Sequence, residues 1–231
     1  MNSERITVTG PAGAFGAYVA RPSREPAPAV VVLQEIFGVN AQMREITDGL
    51  AGQGYLAICP DLFWRLQPGV EISEDERPRA FELYSAFDID GGIADIQATI
   101  DHIRRDPGCS GKVAAVGFCL GGKLAYLSGC RTDIDASIGY YGVGIEERLD
   151  EAKGLERPLM LHIAEEDGFV PKPAQDAIRT RLADNPLVVL YSYPDREHAF
   201  ARPRGQHYHE ADAMVAGQRS LDFLRAHIGN A

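Results

Sequence analysis

A cysteine flanked by glycines is the residue of this chain best suited by its surroundings to act as a nucleophile. Residues 117–122 read GFCLGG, so Gly117 and Gly121 lie two positions on either side of Cys119. A nucleophile on a tight strand-to-helix turn needs neighbours without a Cβ, because strand and helix pass closely there. The N-terminus of the following helix favours a thiolate and any oxyanion beside it. The same spacing is also compatible with glycines that pack around a buried, inert cysteine.

Three further polar side chains follow predicted strands. Glu35 comes after the apolar run 29–33, Asp167 after 159–163, and His198 after 187–193. Active residues of a parallel sheet lie on loops at the carboxyl ends of its strands, so we expect these side chains to converge. The chain order nucleophile, acid, histidine is that of the α/β-hydrolase fold. Taken singly, each of the three is also compatible with an ordinary loop residue.

The residue types suggest a division of roles. Cys119 is the expected nucleophile, His198 the general base and acid, and Asp167 the carboxylate that orients the imidazole. The two glutamates that precede Asp167 compete for its role, and the sharp turn after Asp167 favours the aspartate. The backbone N–H groups of Leu120 and Ile36 are the expected oxyanion hole.

Alternating apolar strands and amphipathic helices predict an α/β fold with a mostly parallel, doubly wound sheet of about eight strands flanked by helices. We expect one domain over residues 1–231. Residues 61–90 form a long irregular connection of the kind that lines a site. Strands are expected at 6–9, 14–20, 29–33, 56–60, 113–116, 136–141, 158–164 and 187–193. Helices are expected at 40–53, 79–87, 91–105, 120–130, 172–182 and 206–228.

Composition narrows the class of protein. The formal net charge is -10 without a basic cluster, so we expect neither nucleic acid nor an anionic membrane as a partner. The four cysteines have no C-x-x-C spacing, which predicts free thiols. The first residues are not followed by the apolar h-region of a signal peptide, so we expect a cytoplasmic protein. His207, His209 and Glu210 form an H-x-H-E pattern without a convincing further ligand. We expect no metal, no cofactor and a monomer.

Five segments together resemble the dienelactone hydrolase family, and the resemblance runs over nearly the whole chain. It implies an α/β-hydrolase fold and a catalytic triad of Cys119, Asp167 and His198. It also implies that Glu35 partners the resting thiol and helps to deprotonate it when substrate arrives. The segments are 34–40, 117–122, 140–144, 167–171 and 198–202.

The resemblance also implies residues that bind the substrate. The two carboxylate-binding arginines of the family correspond to Arg77 and Arg202. Phe81 stands where members of the family carry a tyrosine, which removes a hydroxyl donor, and Tyr84 stands where a tryptophan is common. With Tyr141 from the segment 140–144, these residues are expected around the substrate.

The reaction implied by the resemblance is hydrolysis of an enol-lactone, from dienelactone to maleylacetate in aromatic degradation, through an acyl-thioester. The substrate is then a small lactone or ester that carries a carboxylate, which paired arginines can hold by charge-assisted hydrogen bonds. Two alternatives stay open. One is a cysteine esterase with a different substrate range, and the other is a redox-sensing thiol protein on the same scaffold.

Overall fold

A computed structural model describes residues 2–229 and places an eight-stranded sheet at their centre. The sheet has the order β1-β2-β4-β3-β5-β6-β7-β8. The first two strands pair antiparallel, β2 also pairs antiparallel with β4, and all neighbours from β4 to β8 pair in parallel. The strands are β1 (Asn2–Gly10), β2 (Gly13–Arg21), β3 (Ala27–Leu33), β4 (Leu56–Pro60), β5 (Cys109–Phe118), β6 (Ala136–Tyr140), β7 (Leu159–Ala164) and β8 (Val188–Tyr193).

Helices connect and flank these strands, and two 3₁₀ turns, Glu74–Glu76 and Glu146–Gly154, lie between them. The predicted α/β fold, a mostly parallel sheet of about eight strands flanked by helices, is confirmed, and β1 and β2 form an antiparallel hairpin at one edge of the sheet. The helices are α1 (Ala41–Gly52), α2 (Arg77–Ala86), α3 (Ile89–Arg104), α4 (Leu120–Arg131), α5 (Lys172–Leu182) and α6 (Glu210–Ile228).

The central strands form as their composition predicts. Every residue of β3 is buried, and the apolar run is rich in valine, which suits a strand covered on both faces. The chain then leaves the sheet and enters α1 at Asn40, the N-cap, whose Oδ1 accepts a hydrogen bond from the N–H of Met43 (3.1 Å). The loop between β3 and α1 is thereby fixed at both ends, at the carboxyl edge of the sheet.

Three helix starts differ from the prediction. Helix α3 begins at Ile89, two residues earlier than predicted, and Asp88 caps it by accepting a hydrogen bond from the N–H of Asp90 (3.1 Å). The last helix begins at Glu210 and not at 206, because the chain forms turns from 201 to 207 and Arg204 has a φ of 63°. His209 caps this helix, with Nδ1 accepting from the N–H of Asp212 (3.3 Å). Helix α2 begins at Arg77, two residues earlier than predicted, since Pro78 is tolerated in a first turn.

Candidate active site

Cys119 occupies the corner between β5 and α4 and is 9% exposed. Its backbone has φ 54° and ψ -115°, a conformation that costs energy for a residue with a Cβ. Two hydrogen bonds hold the corner: the N–H of Cys119 donates to the carbonyl of Tyr140 (3.1 Å), and that of Gly121 donates to Gln34 (3.0 Å). Leu120 is the first residue of α4, so its N–H has no partner within the helix.

The glycines around Cys119 are required by close backbone contacts. A Cβ at Gly117 would lie 1.9 Å from the carbonyl oxygen of Gly121, and a Cβ at Gly121 would lie 2.1 Å from that of Leu33. A Cβ at Gly122 would lie 2.4 Å from the carbonyl oxygen of Tyr140. The prediction that these positions must lack a Cβ is confirmed, and the corner ties α4 to the ends of β3 and β6.

His198 and Asp167 form a hydrogen-bonded pair. The Nδ1 atom of His198 lies 2.7 Å from Oδ2 of Asp167, whose side chain is 1% exposed. The other carboxylate oxygen accepts backbone N–H groups two and three residues further on (2.8 and 3.3 Å), so the acid is fixed in place. The two preceding glutamates pair instead with Lys172 and Arg179. Of the three acids in this turn, Asp167 is therefore the one that contacts the histidine.

The surroundings of His198 favour its protonated form when the sulfur beside it is a thiolate. Burial of the ring lowers its pKa, but the charge of Cys119 and hydrogen bonds with Asp167 and Cys119 outweigh burial and raise the pKa to about 10. An imidazolium of this kind stabilises a neighbouring thiolate and holds a proton that can be delivered to a leaving group.

Two arginines and two glutamates form a linked charge cluster close to Cys119. Arg202 Nη1 lies 3.2 Å from Oε2 of Glu35, and both side chains are nearly buried, at 7% and 4% exposure. The second arm of Arg202 lies 2.9 Å from Oε1 of Glu74, and the other oxygen of Glu74 lies 3.0 Å from Nη2 of Arg77. Burial raises the pKa of Glu35, and the charges of Arg202 and His198 oppose that rise.

One cavity of about 180 Å³ contains the reactive groups. Cys119 and His198 both line it, so sulfur and imidazole face the same space. Phe81 and Phe169 are 41% and 50% exposed, and their ring centroids lie 6.1 Å apart. The remaining lining residues are Glu35, Ile36, Phe37, Arg77, Tyr84, Val143, Gly168, Glu197, Arg202 and His207.

A comparison with known families identifies the family of this chain. The profile described as "Dienelactone hydrolase family" matches residues 15–228. The chain belongs to the dienelactone hydrolase family. It is 43% identical to a carboxymethylenebutenolidase of Pseudomonas putida over 213 residues, which are 91% of this chain and 90% of that protein. Carboxymethylenebutenolidase 1 of Cupriavidus pinatubonensis is 37% identical over 228 residues, 97% of each chain.

The fold of this dienelactone hydrolase family member is shared with solved structures. A dienelactone hydrolase-like promiscuous phosphotriesterase from metagenomic libraries superposes with a TM-score of 0.85 at 20% identity, over 99% of both chains. At that identity the likeness concerns the fold alone. Family membership, in contrast, makes this chain a hydrolase of ester or lactone bonds.

The structure brings most of the predicted site residues of this family member to one place. Tyr141 is an exception, because it does not line the cavity, although its buried ring packs edge-on against His198 with centroids 5.0 Å apart. Asp167 likewise lies behind His198, as an orienting acid must. The predicted residues that line the cavity are Glu35, Ile36, Arg77, Phe81, Tyr84, Cys119, His198 and Arg202.

Glu74, Phe169 and His207 were not predicted to belong to the site. Glu74 lies in the connection 61–90, which was expected to line a site, but its contact with Arg202 arises only in the folded chain. Phe169 packs edge-on against His198, with centroids 4.9 Å apart. His207 lines the cavity and pairs with Glu197 (3.2 Å).

Residues 2–229 contain no group of three or more His, Cys, Asp and Glu side chains arranged to hold a metal ion. No helix within this same range combines the length and the apolarity needed to cross a membrane.

Proposed function

We propose that this protein hydrolyses an enol-lactone of the dienelactone type, or a related ester that carries a carboxylate, through an acyl-thioester on Cys119. One observation carries the proposal: Cys119 and His198 face a single cavity, and His198 Nδ1 lies 2.7 Å from Asp167. Relatives that are 43% and 37% identical bear the name carboxymethylenebutenolidase, which supports the lactone as substrate.

In the first half of the reaction the thiolate of Cys119 adds to the carbonyl carbon of the substrate. The backbone N–H groups of Leu120 and Ile36 stabilise the oxyanion that forms. The single bond between the carbonyl carbon and the ester oxygen then breaks. The enolate oxygen takes the proton of the His198 imidazolium as it leaves. An enolate is a good leaving group, so the thiolate needs little further acid assistance.

In the second half a water molecule attacks the thioester carbonyl. Neutral His198 takes a proton from this water, and the tetrahedral intermediate collapses to release the thiolate of Cys119 and a carboxylic acid, which loses its proton to solvent. This step restores the imidazolium and the thiolate with which the first half of the reaction began. The cycle consumes one water and uses only groups of this chain. Asp167 fixes the tautomer and orientation of the ring throughout.

Arg202 and Arg77 are proposed to receive the substrate carboxylate. Both line the cavity that contains Cys119, and the chain as a whole is strongly acidic, so local cations are needed to attract an anion. A carboxylate that draws Arg202 away leaves Glu35 without its main cation. The pKa of Glu35 is already raised by burial, so the freed carboxylate is suited to accept a proton from a resting thiol.

A turnover panel tests the proposal. It compares cis-dienelactone, trans-dienelactone and p-nitrophenyl acetate as substrates of the wild type, Cys119→Ser and His198→Ala. Both substitutions are expected to lower kcat/KM by about a thousandfold or more, because triad members act as a unit. Cys109→Ser is the matched control, since Cys109 is a free cysteine that does not line the cavity.

Each outcome of the panel has a distinct meaning. Full activity of Cys119→Ser or His198→Ala contradicts the mechanism. Turnover of the aryl ester without turnover of either lactone points instead to an esterase of different substrate range. A reactive Cys119 that consumes peroxide but turns over none of the three substrates points to the redox-sensing alternative.

A further inference from the structure

The two arginines expected to bind a substrate carboxylate already share a carboxylate of the chain. Oε1 of Glu74 lies 2.9 Å from Arg202 Nη2, and its Oε2 lies 3.0 Å from Arg77 Nη2. Each oxygen of one carboxylate therefore meets a different guanidinium. This is the bridging arrangement that two arginines would make with a substrate anion.

The charges of the cluster balance before any substrate enters. Arg202 and Arg77 supply two positive charges, while Glu35 and Glu74 supply two negative ones when ionised. A substrate carboxylate adds a third negative charge within hydrogen-bonding reach of the same cations. One of the two resident carboxylates must then lose its charge or its place, because like charges at such distances repel strongly in a poorly solvated site.

Exposure decides which of the two resident carboxylates can leave. The Glu35 side chain is 4% exposed, so very little of it is in contact with solvent. The Glu74 side chain is 32% exposed and lies on the surface turn Glu74–Glu76, which Ser73 caps through the N–H of Asp75. A rotation of the Glu74 side chain breaks two ion pairs and leaves that cap intact.

We propose that Glu74 is a specificity-determining residue that occupies the arginine pair as an internal competitor and is displaced to solvent by the carboxylate of the substrate. Displacing Glu74 breaks two ion pairs. Glu74 therefore selects for ligands whose anion contacts both arginines, because such an anion forms two new ion pairs in their place. The inference deepens the proposed function and depends on it in one respect, namely that Arg202 and Arg77 receive a carboxylate.

Binding of maleate, measured by titration calorimetry at low ionic strength, tests this inference without any turnover. Glu74→Gln keeps the shape of the side chain and removes its charge. We expect it to tighten maleate binding about tenfold, the size expected when two partly exposed ion pairs need no longer be broken. Glu74→Ala should shift the dissociation constant in the same direction. The KM for dienelactone should fall relative to the KM for p-nitrophenyl acetate.

Asp75→Asn is the matched control, because Asp75 lies on the same turn, carries the same charge and has an exposed side chain. We expect it to change maleate binding less than about twofold, since exposed charges are well screened. Unchanged or weaker binding in Glu74→Gln overturns the inference, as does equal tightening in Asp75→Asn. Glu74→Gln could tighten maleate binding tenfold in a protein that hydrolyses none of the panel substrates. That result would refute the proposed function but would support the competition between Glu74 and a ligand carboxylate.

Discussion

Replacing Gly121 by alanine perturbs the contact that holds α4 against the loop after β3. The added methyl group would lie 2.1 Å from the carbonyl oxygen of Leu33 and 2.8 Å from that of Gln34. An ordinary contact of this kind begins near 3.4 Å. Helix and strand end must therefore separate by roughly 1 Å, and backbone atoms, unlike the tip of a flexible side chain, cannot rotate away.

The expected loss is larger in catalysis than in stability. Overpacking of this kind lowers the free energy of unfolding by about 1–3 kcal/mol, which leaves the protein folded at 25 °C. The separation acts on the two proposed oxyanion donors, since Leu120 adjoins Gly121 in the chain and Ile36 follows Gln34 by two residues. A misplacement of roughly 1 Å costs about a hundredfold in rate. We therefore expect kcat/KM for p-nitrophenyl acetate to fall about a hundredfold.

Urea unfolding and initial-rate kinetics on the same preparations measure the two effects. Gly217→Ala is the matched control, because Gly217 lies within α6 and no atom lies within 4 Å of its added methyl group. There the substitution should stabilise the protein by up to about 1 kcal/mol and leave activity unchanged. A Gly121→Ala protein with wild-type stability and activity within twofold of wild type would refute the argument from close packing.

Three further predictions concern charges. Arg77→Ala should raise the KM for dienelactone about fivefold more than the KM for p-nitrophenyl acetate. The control is Arg79→Ala, on the same helix but outside the cavity, which should leave the ratio of the two KM values unchanged. Arg202→Met should lower the free energy of unfolding by about 3–5 kcal/mol, because it removes the cation that pairs with the buried carboxylate of Glu35. The double variant with Arg202→Met and Glu35→Gln should recover part of that loss, measured as the free energy of unfolding in urea. Burial, with the charge of a nearby arginine, lowers the pKa of His162 to about 3. As pH falls, His162 of the unfolded chain is therefore protonated before His162 of the folded chain. This difference should lower the free energy of unfolding by about 2 kcal/mol between pH 7 and pH 5. His162→Gln should remove that part of the pH dependence, and an unchanged pH dependence would contradict it.

The geometry of the candidate active site could be predicted from the sequence because local patterns fix it. Glycines around Cys119 specify a tight corner, and strand ends at one edge of a parallel sheet bring Asp167, His198 and Glu35 toward it. The choice of Asp167 over its neighbouring glutamates also follows from a local feature, the sharp turn that lets its carboxylate accept two backbone N–H groups. Each of these inferences needs only a few consecutive residues and the order of the strands.

The contacts of Glu74 and Tyr141 could not be predicted in this way. Glu74 meets Arg202 only because the connection 61–90 folds back over the carboxyl edge of the sheet, a tertiary arrangement without a local pattern. Tyr141 packs against His198 without lining the cavity, and its φ of 38° is not one that an extended strand end predicts. The start of α6 was predicted four residues too early for a similar reason, since Arg204 adopts a positive φ that periodicity does not register.

Intact-mass spectrometry of the enzyme, quenched in acid within milliseconds of mixing with p-nitrophenyl acetate, tests the central claim most directly. The account predicts a protein heavier by one acetyl group, with the label on Cys119 after peptide mapping and absent from Cys119→Ser. Steady turnover of the ester with no label on Cys119, or with the acetyl group on another residue, would contradict it.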